Sequence, residues 1–362
     1  MPRVSVIIPC FNREALLCET LDSMRAQTFA DWEAIVVDDH SQDNSVGVAR
    51  RYAESDSRIR VVSRRSDRKG GNICRNEGLS LAQGDYVIFL DSDDLLAPFC
   101  LEHRVAAMDH APDSGFGVYQ TEIFTKTIGD RQLLWNVFIE ANDLHRFLSL
   151  DTVWLTTGPI WRKKVLTQLG GFDEDVLSFQ DWALHVRALI AGIKYFKAPF
   201  RDSFHRFEHE PKLQISMASN SPEHLQSREG VLDKTLHKLR HAGLLDVGTG
   251  PRLAGLFWWL ATIWVEQGNL KTAVRVWRKA FALALCSSRR YLEGCLILKL
   301  KSARRGAPII QMIQRSWPPK CILPSSLYLR RTPVGDTALE PISSKVNRRE
   351  STSNGANSKV IS

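Results

Sequence analysis

An α/β fold around a mostly parallel sheet is predicted by three features of the chain. Short apolar runs recur at Val4 to Pro9, Glu33 to Val37, Arg58 to Val62 and Tyr86 to Leu90, with stretches of helical period between them. Such runs suit strands buried on both faces, and helices of about 10–15 residues between them are the crossovers of right-handed βαβ units. Two of the runs end in acids: Val37 leads into Asp38-Asp39-His40-Ser41, and Leu90 into Asp91-Ser92-Asp93-Asp94. The C-terminal ends of parallel strands share one edge, where open α/β sheets bind ligands. The two acid clusters therefore belong to one site.

Each element has its own signal. Val4 to Pro9 is a buried strand that Pro9 should end, having no N–H to donate. Glu14 to Gln27 is a helix with Leu17, Leu21 and Met24 on one face, and Ser45 to Ala53 and Asn72 to Ala82 are helical, the last stopped by Gly84. Further on, Phe116 to Phe124, Val153 to Trp161 and Tyr195 to Phe200 read as extended, and Lys163 to Leu169 and Phe179 to Ala191 as helices around the turn Gly170-Gly171. From Glu223 the pattern is helical: Glu223 to Ala242, Arg252 to Gln267, Leu270 to Leu285 and Tyr291 to Arg304. The middle two resemble a single tetratricopeptide-like pair, and one such unit cannot stand alone, so an appendage packed on the first domain is expected. The domains expected are residues 1–215, a helical region 223–305, and a tail 306–362 that is largely disordered from residue 335.

Composition narrows the class. With 44% hydrophobic and 24% charged residues the chain has the make-up of an ordinary globular protein. Its net charge of +8 is concentrated at the end: from Cys286 onward there are 14 Lys and Arg against 4 Asp and Glu. This basic tail is a candidate for peripheral contact with an anionic membrane surface; no nucleic-acid partner is expected. Seven cysteines without a C-x-x-C pair suggest neither a disulfide framework nor a zinc site. Met1 to Val6 carries no secretory pattern, and the most apolar window, Leu253 to Val265, is shorter than the roughly 20 residues needed to span a bilayer. A reducing, cytoplasmic setting is expected, at most peripheral to the inner face of the membrane.

Asp91, Asp93 and Asp94 lie close enough to repel one another, and a hard divalent cation, Mn²⁺ or Mg²⁺, shared with substrate phosphates is the simplest remedy. An acidic turn after a strand is the plainer alternative. No Gly-x-Gly-x-x-Gly follows the first strand, which argues against a dinucleotide-binding dehydrogenase.

Four segments, Val4 to Asn12, Ile35 to Ser41, Arg75-Asn76-Glu77-Gly78 and Leu90 to Asp94, stand in the order and spacing of the family 2 glycosyltransferases, which residues 2–205 resemble. The resemblance implies a GT-A fold, a Rossmann-like sandwich with a mostly parallel central sheet, and an inverting enzyme that uses a nucleotide-sugar donor, usually a uridine diphosphate sugar. It implies donor contacts from Pro9, Asn12 and Glu14 at the first strand's exit and from Asp39 to the base, with Asp38 structural. Asp91-Ser92-Asp93 resembles the family's DxD motif: Asp91 would face the ribose and Asp93 the metal, with Asp94 a substitute ligand. Arg75, near a helix start, could reach phosphate or be an ordinary solvated arginine.

Inversion needs a base that takes the acceptor hydroxyl's proton. In the family it lies at a helix start, often as Glu-Asp, and the matching segment here is Phe179-Gln180-Asp181-Trp182. Gln180 replaces the first acid, which leaves Asp181 as the base, or else as a helix-capping carboxylate. Asp173, Glu174 and Asp175 are the fallback candidates. Trp182 is either a sugar platform or core, and His205-Arg206, in a loop after the last strand, a late metal or phosphate contact or simply solvated. The resemblance implies a saccharide or lipid-linked acceptor in surface polysaccharide synthesis. A nucleotidyltransferase, which would want a Gly-rich basic loop after the first strand, and an inactive scaffold of the same fold remain alternatives. An aspartate-nucleophile phosphatase would carry its Asp-x-Asp on the first strand.

Overall fold

The computed structural model describes residues 1–135, 137–207, 220–303, 309–310 and 312–313, and the backbone of 358–360. The first half alternates strand and helix as expected: β1 (Val4–Cys10), α1 (Leu17–Arg25), β2 (Trp32–Asp38), α2 (Ser45–Ser55), β3 (Ile59–Ser63), α3 (Gly71–Leu81) and β4 (Tyr86–Phe89). β5 (Leu95–Leu96), α4 (Cys100–His110), β6 (Phe116–Phe124), β7 (Leu133–Leu134), α5 (Asp143–Phe147), β8 (Pro159–Arg162), α6 (Lys163–Leu169), α7 (Gln180–Ile190) and β9 (Tyr195–Arg206) follow. Four longer helices, α8 (Pro222–His241), α9 (Thr249–Glu266), α10 (Leu270–Ala282) and α11 (Ser288–Ser302), complete the described body.

The main sheet runs β9-β6-β8-β4-β1-β2-β3. β1 lies between β4 and β2, parallel to both, with Ile7 beside Phe89 and Cys10 beside Asp38. β8 is inserted antiparallel between β4 and β6. Pro9 does not end β1: the strand continues to Cys10, because Pro9 lies past the last residue that pairs with β4 and its missing N–H costs nothing on that side. Of the apolar stretch Val153 to Trp161 only Pro159 onward is strand. Ser358–Val360 pairs parallel with Tyr195 to Lys197 at the sheet's edge; apart from residues 309–310 and 312–313, the rest of the tail expected over 306–362, and with it the expected membrane contact, lies outside the described residues.

Alternate side chains divide the core. Val4, Val6 and Ile8 pack with Leu17, Leu21 and Met24 of α1 on one face. Ile7, Ile35 and Val37 pack on the other, where the same apolar body continues through α7 into α8 to α11. The helical region therefore shares its core with the sheet. Trp182, weighed as a sugar platform, is buried there, and its indole N–H donates to Phe147 O at 3.0 Å.

His185 of α7 is buried among Trp161, Trp154 and Phe147, and its Nδ1 has no hydrogen-bond partner. Burial pulls its pKa down to about 3. Below the ordinary imidazole value the unfolded chain binds a proton that the folded one refuses, so stability falls as pH drops, by about 1.4 kcal/mol per unit at most. Urea unfolding at pH 6.5 and 4.5 should show the parent losing about 2–3 kcal/mol more than His185→Leu. Equal losses would mean that the ring is charged or hydrated in the fold.

Candidate functional site

The site is assembled by strand exits. α3 packs so closely on β1 and β2 that a Cβ on Gly78 would stand 2.4 Å from Ile7 Cγ2 and 3.3 Å from Val37 Cγ2. Only glycine permits that approach, and it holds the first turns of α3, with Asn72 and Arg75, over the strand ends. Asn76 donates to Phe172 O at 2.9 Å and accepts from Phe172 N at 2.8 Å, while Asn72 donates to Asp173 O and Val176 O at 2.9 and 3.0 Å. The segment leading to Asp181 is thereby tied to α3.

Between β1 and β2, Asn12 takes a left-handed conformation (φ 51°) and its side chain accepts from Gln42 N at 2.7 Å. Glu14 accepts from Asn44 N at 3.2 Å. Both residues join the loops after β1 and β2, while Pro9 contributes β1 backbone. Asp38 turns its carboxylate to Ser41 N, the structural role expected. Asp39 pairs with the buried Arg64 and accepts from Gly70 N at 3.1 Å.

At the β4 exit each acid has a cationic neighbour. Asp91 meets Arg75 Nη2 at 2.5 Å, and Arg75 Nη1 donates to Gln180 Oε1 at 3.3 Å. Arg75 is thus a buried bridge between the DxD segment and the start of α7, and the solvated reading fails. Burial alone would raise the Asp91 pKa, but Arg75 outweighs it and holds the group below the ordinary carboxylate range. Asp93 has the weaker partner, Arg13 Nε at 3.3 Å. Burial, then Asp94 and Asp91, push its pKa up to about 6.

Asp94 is not a spare ligand. It is buried and accepts from Thr157 Oγ1 at 3.2 Å and Arg206 N at 3.0 Å, with His205 Nδ1 at 2.9 Å. His205 and Arg206 were expected in a loop; β9 instead runs on to Arg206, pairing Phe204 and Ser203 with Leu95 and Leu96 of β5. Burial would lower the His205 pKa, but Asp94, Asp93 and Asp91 hold it at about 9. With these carboxylates uncompensated by a divalent cation, the ring is held protonated and faces Asp94 through Nδ1.

Asp181 sits half-buried in the first turn of α7 and accepts from Trp182 N at 2.8 Å. It is not the cap: the N-cap is Phe179, in the left-handed region at φ 67°. Such a conformation is strained for a bulky residue and needs support. Phe179 stacks on Trp259 of α9 at 5.7 Å, and the buried Arg228 of α8 lies 5.5 Å over the Phe179 ring while donating to Ser178 Oγ at 3.0 Å. Burial, and then Asp91, raise the Asp181 pKa above the ordinary value against the opposing Trp182 N–H and Arg75.

Sequence reasoning missed Arg13 and Arg64. The signal was available: each follows a parallel strand's exit directly, as the acids do. Among the described residues no three His, Cys, Asp or Glu side chains form a ready metal cage. The donor chemistry still fits a divalent cation at Asp93, whose negative charge is poorly compensated and would be completed by substrate oxygens.

The family description Glycosyl transferase family 2 matches residues 5–165. The uncharacterised protein y4gI of Sinorhizobium fredii is 32% identical over 195 residues, which are 52% of this chain and 20% of that protein. A Campylobacter jejuni GalNAc(5)-diNAcBac-PP-undecaprenol beta-1,3-glucosyltransferase is 42% identical over 96 residues, 26% of this chain and 31% of the enzyme. The chain thus spans less than a third of the length of either relative. Among solved structures, Staphylococcus aureus TarS aligns with a TM-score of 0.61 at 19% identity, covering 87% of this chain and 91% of the other, and its complex with UDP-GlcNAc aligns at 0.57 with 17% identity. Residues 5–165 are thus similar to the family 2 glycosyltransferases, and the fold is the GT-A fold seen in TarS.

Proposed function

We propose that the crevice binds a nucleoside diphosphate sugar and passes the sugar to an acceptor hydroxyl with inversion. The observation that carries this reading is Arg75, which joins Asp91 on one side to the Asp181 helix on the other, so that a donor site and a proton acceptor face one space. Asp39 and the loop walls at Asn12 and Glu14 lie at the same edge for the base and ribose, and the TarS complex with UDP-GlcNAc favours a UDP-sugar. Asp181, with its raised pKa, takes the proton from the acceptor hydroxyl, which attacks the sugar carbon on the face opposite the departing diphosphate. Arg13, Arg75 and His205 supply fixed positive charge for the negative charge that grows on the leaving group. Mn²⁺ or Mg²⁺ held by Asp93 would add Lewis-acid neutralisation of the same oxygens. The relatives' names point to a saccharide or lipid-linked acceptor in surface glycan synthesis.

Donor hydrolysis is the direct test. With Mn²⁺ and a panel of nucleotide sugars, the purified protein should slowly release nucleoside diphosphate, and Asp93→Ala should reduce that release by about 10²-fold or more. No release from any donor would favour the inactive-scaffold reading. Undiminished release by the variant would remove the metal role from Asp93.

A further inference from the structure

The start of α7 is gripped from two sides. On the donor side α3 holds it, through Arg75 on Gln180 Oε1 at 3.3 Å and Asn72 on Val176 O at 3.0 Å. On the other side, three successive residues are taken by the helices that follow the sheet. Leu177 N donates to Ser227 Oγ of α8 at 2.9 Å, Ser178 Oγ accepts from Arg228 Nε at 3.0 Å, and the Phe179 ring stacks on Trp259 of α9 with the planes 8° apart. The Arg228 guanidinium lies 5.5 Å from the Phe179 ring centre and 5.6 Å from that of Trp259, so one cation covers both rings. Its Nη1 donates to Asn220 Oδ1 at 3.0 Å, and the residue is buried.

This clamp bears on one backbone torsion. Phe179 caps α7 at φ 67°, a conformation that a bulky residue leaves unless its surroundings hold it. Phe179 O accepts from Ala183 N at 2.8 Å and so closes the first turn of the helix, where Asp181 stands. Relaxation of Phe179 to a negative φ would open that turn and re-aim the Asp181 carboxylate, and a general base works only within hydrogen-bond reach of its proton. Packing alone does not call for an arginine at position 228. An apolar side chain would cover Phe179 and Trp259, whereas a buried cation carries a desolvation cost. What the guanidinium adds is direction, since its fork fixes Ser178 and Asn220 together while its flat face lies on the rings.

We propose that Arg228 is a positioning residue for sugar transfer: through Ser178 and Phe179 it sets the direction of the Asp181 carboxylate, which makes α8 and α9 part of the catalytic apparatus and not an appendage to it. The proposal rests on the reading of Asp181 as the base.

The test compares R228M, R228K and R228M/F179G with the parent, each in the full chain and below its own melting midpoint. R228M should lower kcat for transfer by about 10²-fold, the usual effect of a misplaced group, while donor KM and UDP affinity by calorimetry stay within about twofold. R228K should recover about tenfold of that loss, because it keeps the charge over the rings and lacks the fork. R228M/F179G should recover at least as much, because glycine holds a positive φ without support; were Arg228 only core filling, the second substitution would add to the damage. Hydrogen exchange gives a readout that needs no substrate: the Ala183 amide should exchange about tenfold faster in R228M, with the last turn of α7 unchanged. Parental kcat in R228M, a fall in kcat matched by an equal loss of UDP binding, or unchanged protection of the Ala183 amide overturns the proposal. D181N separates it from the reading beneath it. Parental transfer by R228M beside an inactive D181N overturns the role of Arg228 alone, whereas parental transfer by D181N removes Asp181 as the base, and the role of Arg228 with it.

Discussion

Replacing Asp181 by Asn is expected to lower sugar transfer by about 10²-fold or more while nucleoside diphosphate still binds with parental affinity. The substitution is close to isosteric, and the amide oxygen can go on accepting from Trp182 N, so the start of α7 stays in place. What disappears is the proton acceptor. Because burial raises the Asp181 pKa, the parent should lose activity on the acid side nearer neutrality than an ordinary carboxylate would dictate, and the residual activity of the variant should lack that limb. Single-turnover transfer across pH, with calorimetric titration of the diphosphate, measures both. Unchanged transfer would place the base elsewhere, yet the neighbouring acids are poorly suited. Asp173 is paired with Lys234 at 2.6 Å and held below the ordinary carboxylate range despite its burial, and Asp175 is exposed beside Arg68.

Asp202→Ala is expected to destabilise the protein by about 3–5 kcal/mol, the usual consequence of stranding a buried charge. The Arg104 side chain is 0% and that of Asp202 1% exposed, with the two nitrogens of the guanidinium 2.8 and 2.6 Å from the carboxylate oxygens. Arg104 also donates to Thr157 O at 2.9 Å and lies 4.8 Å from the Tyr119 ring centre. One ion pair therefore fastens α4, β6, the segment before β8, and β9 together. Urea unfolding measures the loss, and R104M/D202L should recover most of it, because an apolar pair of similar size carries no desolvation cost. If the single variant unfolds at the parent's midpoint, the pair is hydrated and β9 is held by other means.

That same pair explains where the sequence could and could not be read. β1, β2 and β4 were legible because strands covered on both faces are continuous apolar runs, and their parallel order alone put Asp39, Asp91 and Asp93 on one edge. β9 was not legible past Phe200, because Arg201, Asp202 and Ser203 read as loop. They are strand because partners on distant elements neutralise them: Arg104 for Asp202 and Glu122 for Arg201. Val153 to Trp161 misled in the opposite way, since apolar composition speaks for burial and not for pairing. The pairing of Arg13, Arg64 and Arg75 with Asp93, Asp39 and Asp91 was likewise hidden. It depends on side-chain reach between loops that only the closed sheet brings together, although the position of each arginine just beyond a strand or at a helix start was visible. Phe179 carried no local signal for a left-handed conformation, which Trp259 and Arg228 impose from some 50 to 80 residues away.

Asp94 fixes the mechanics of the crevice. Its backbone oxygen accepts from Thr20 of α1 at 3.0 Å, while its carboxylate takes Thr157, His205 and Arg206 N from the opposite half. The floor is thus a pinned joint, and swinging one half away from the other would break several bonds to a single buried anion at once. The consequence is that the gap between the halves is preset, and any adjustment to a ligand falls to the rim, in the short stretch from Arg65 to Gly70 and in rotamers of the arginines.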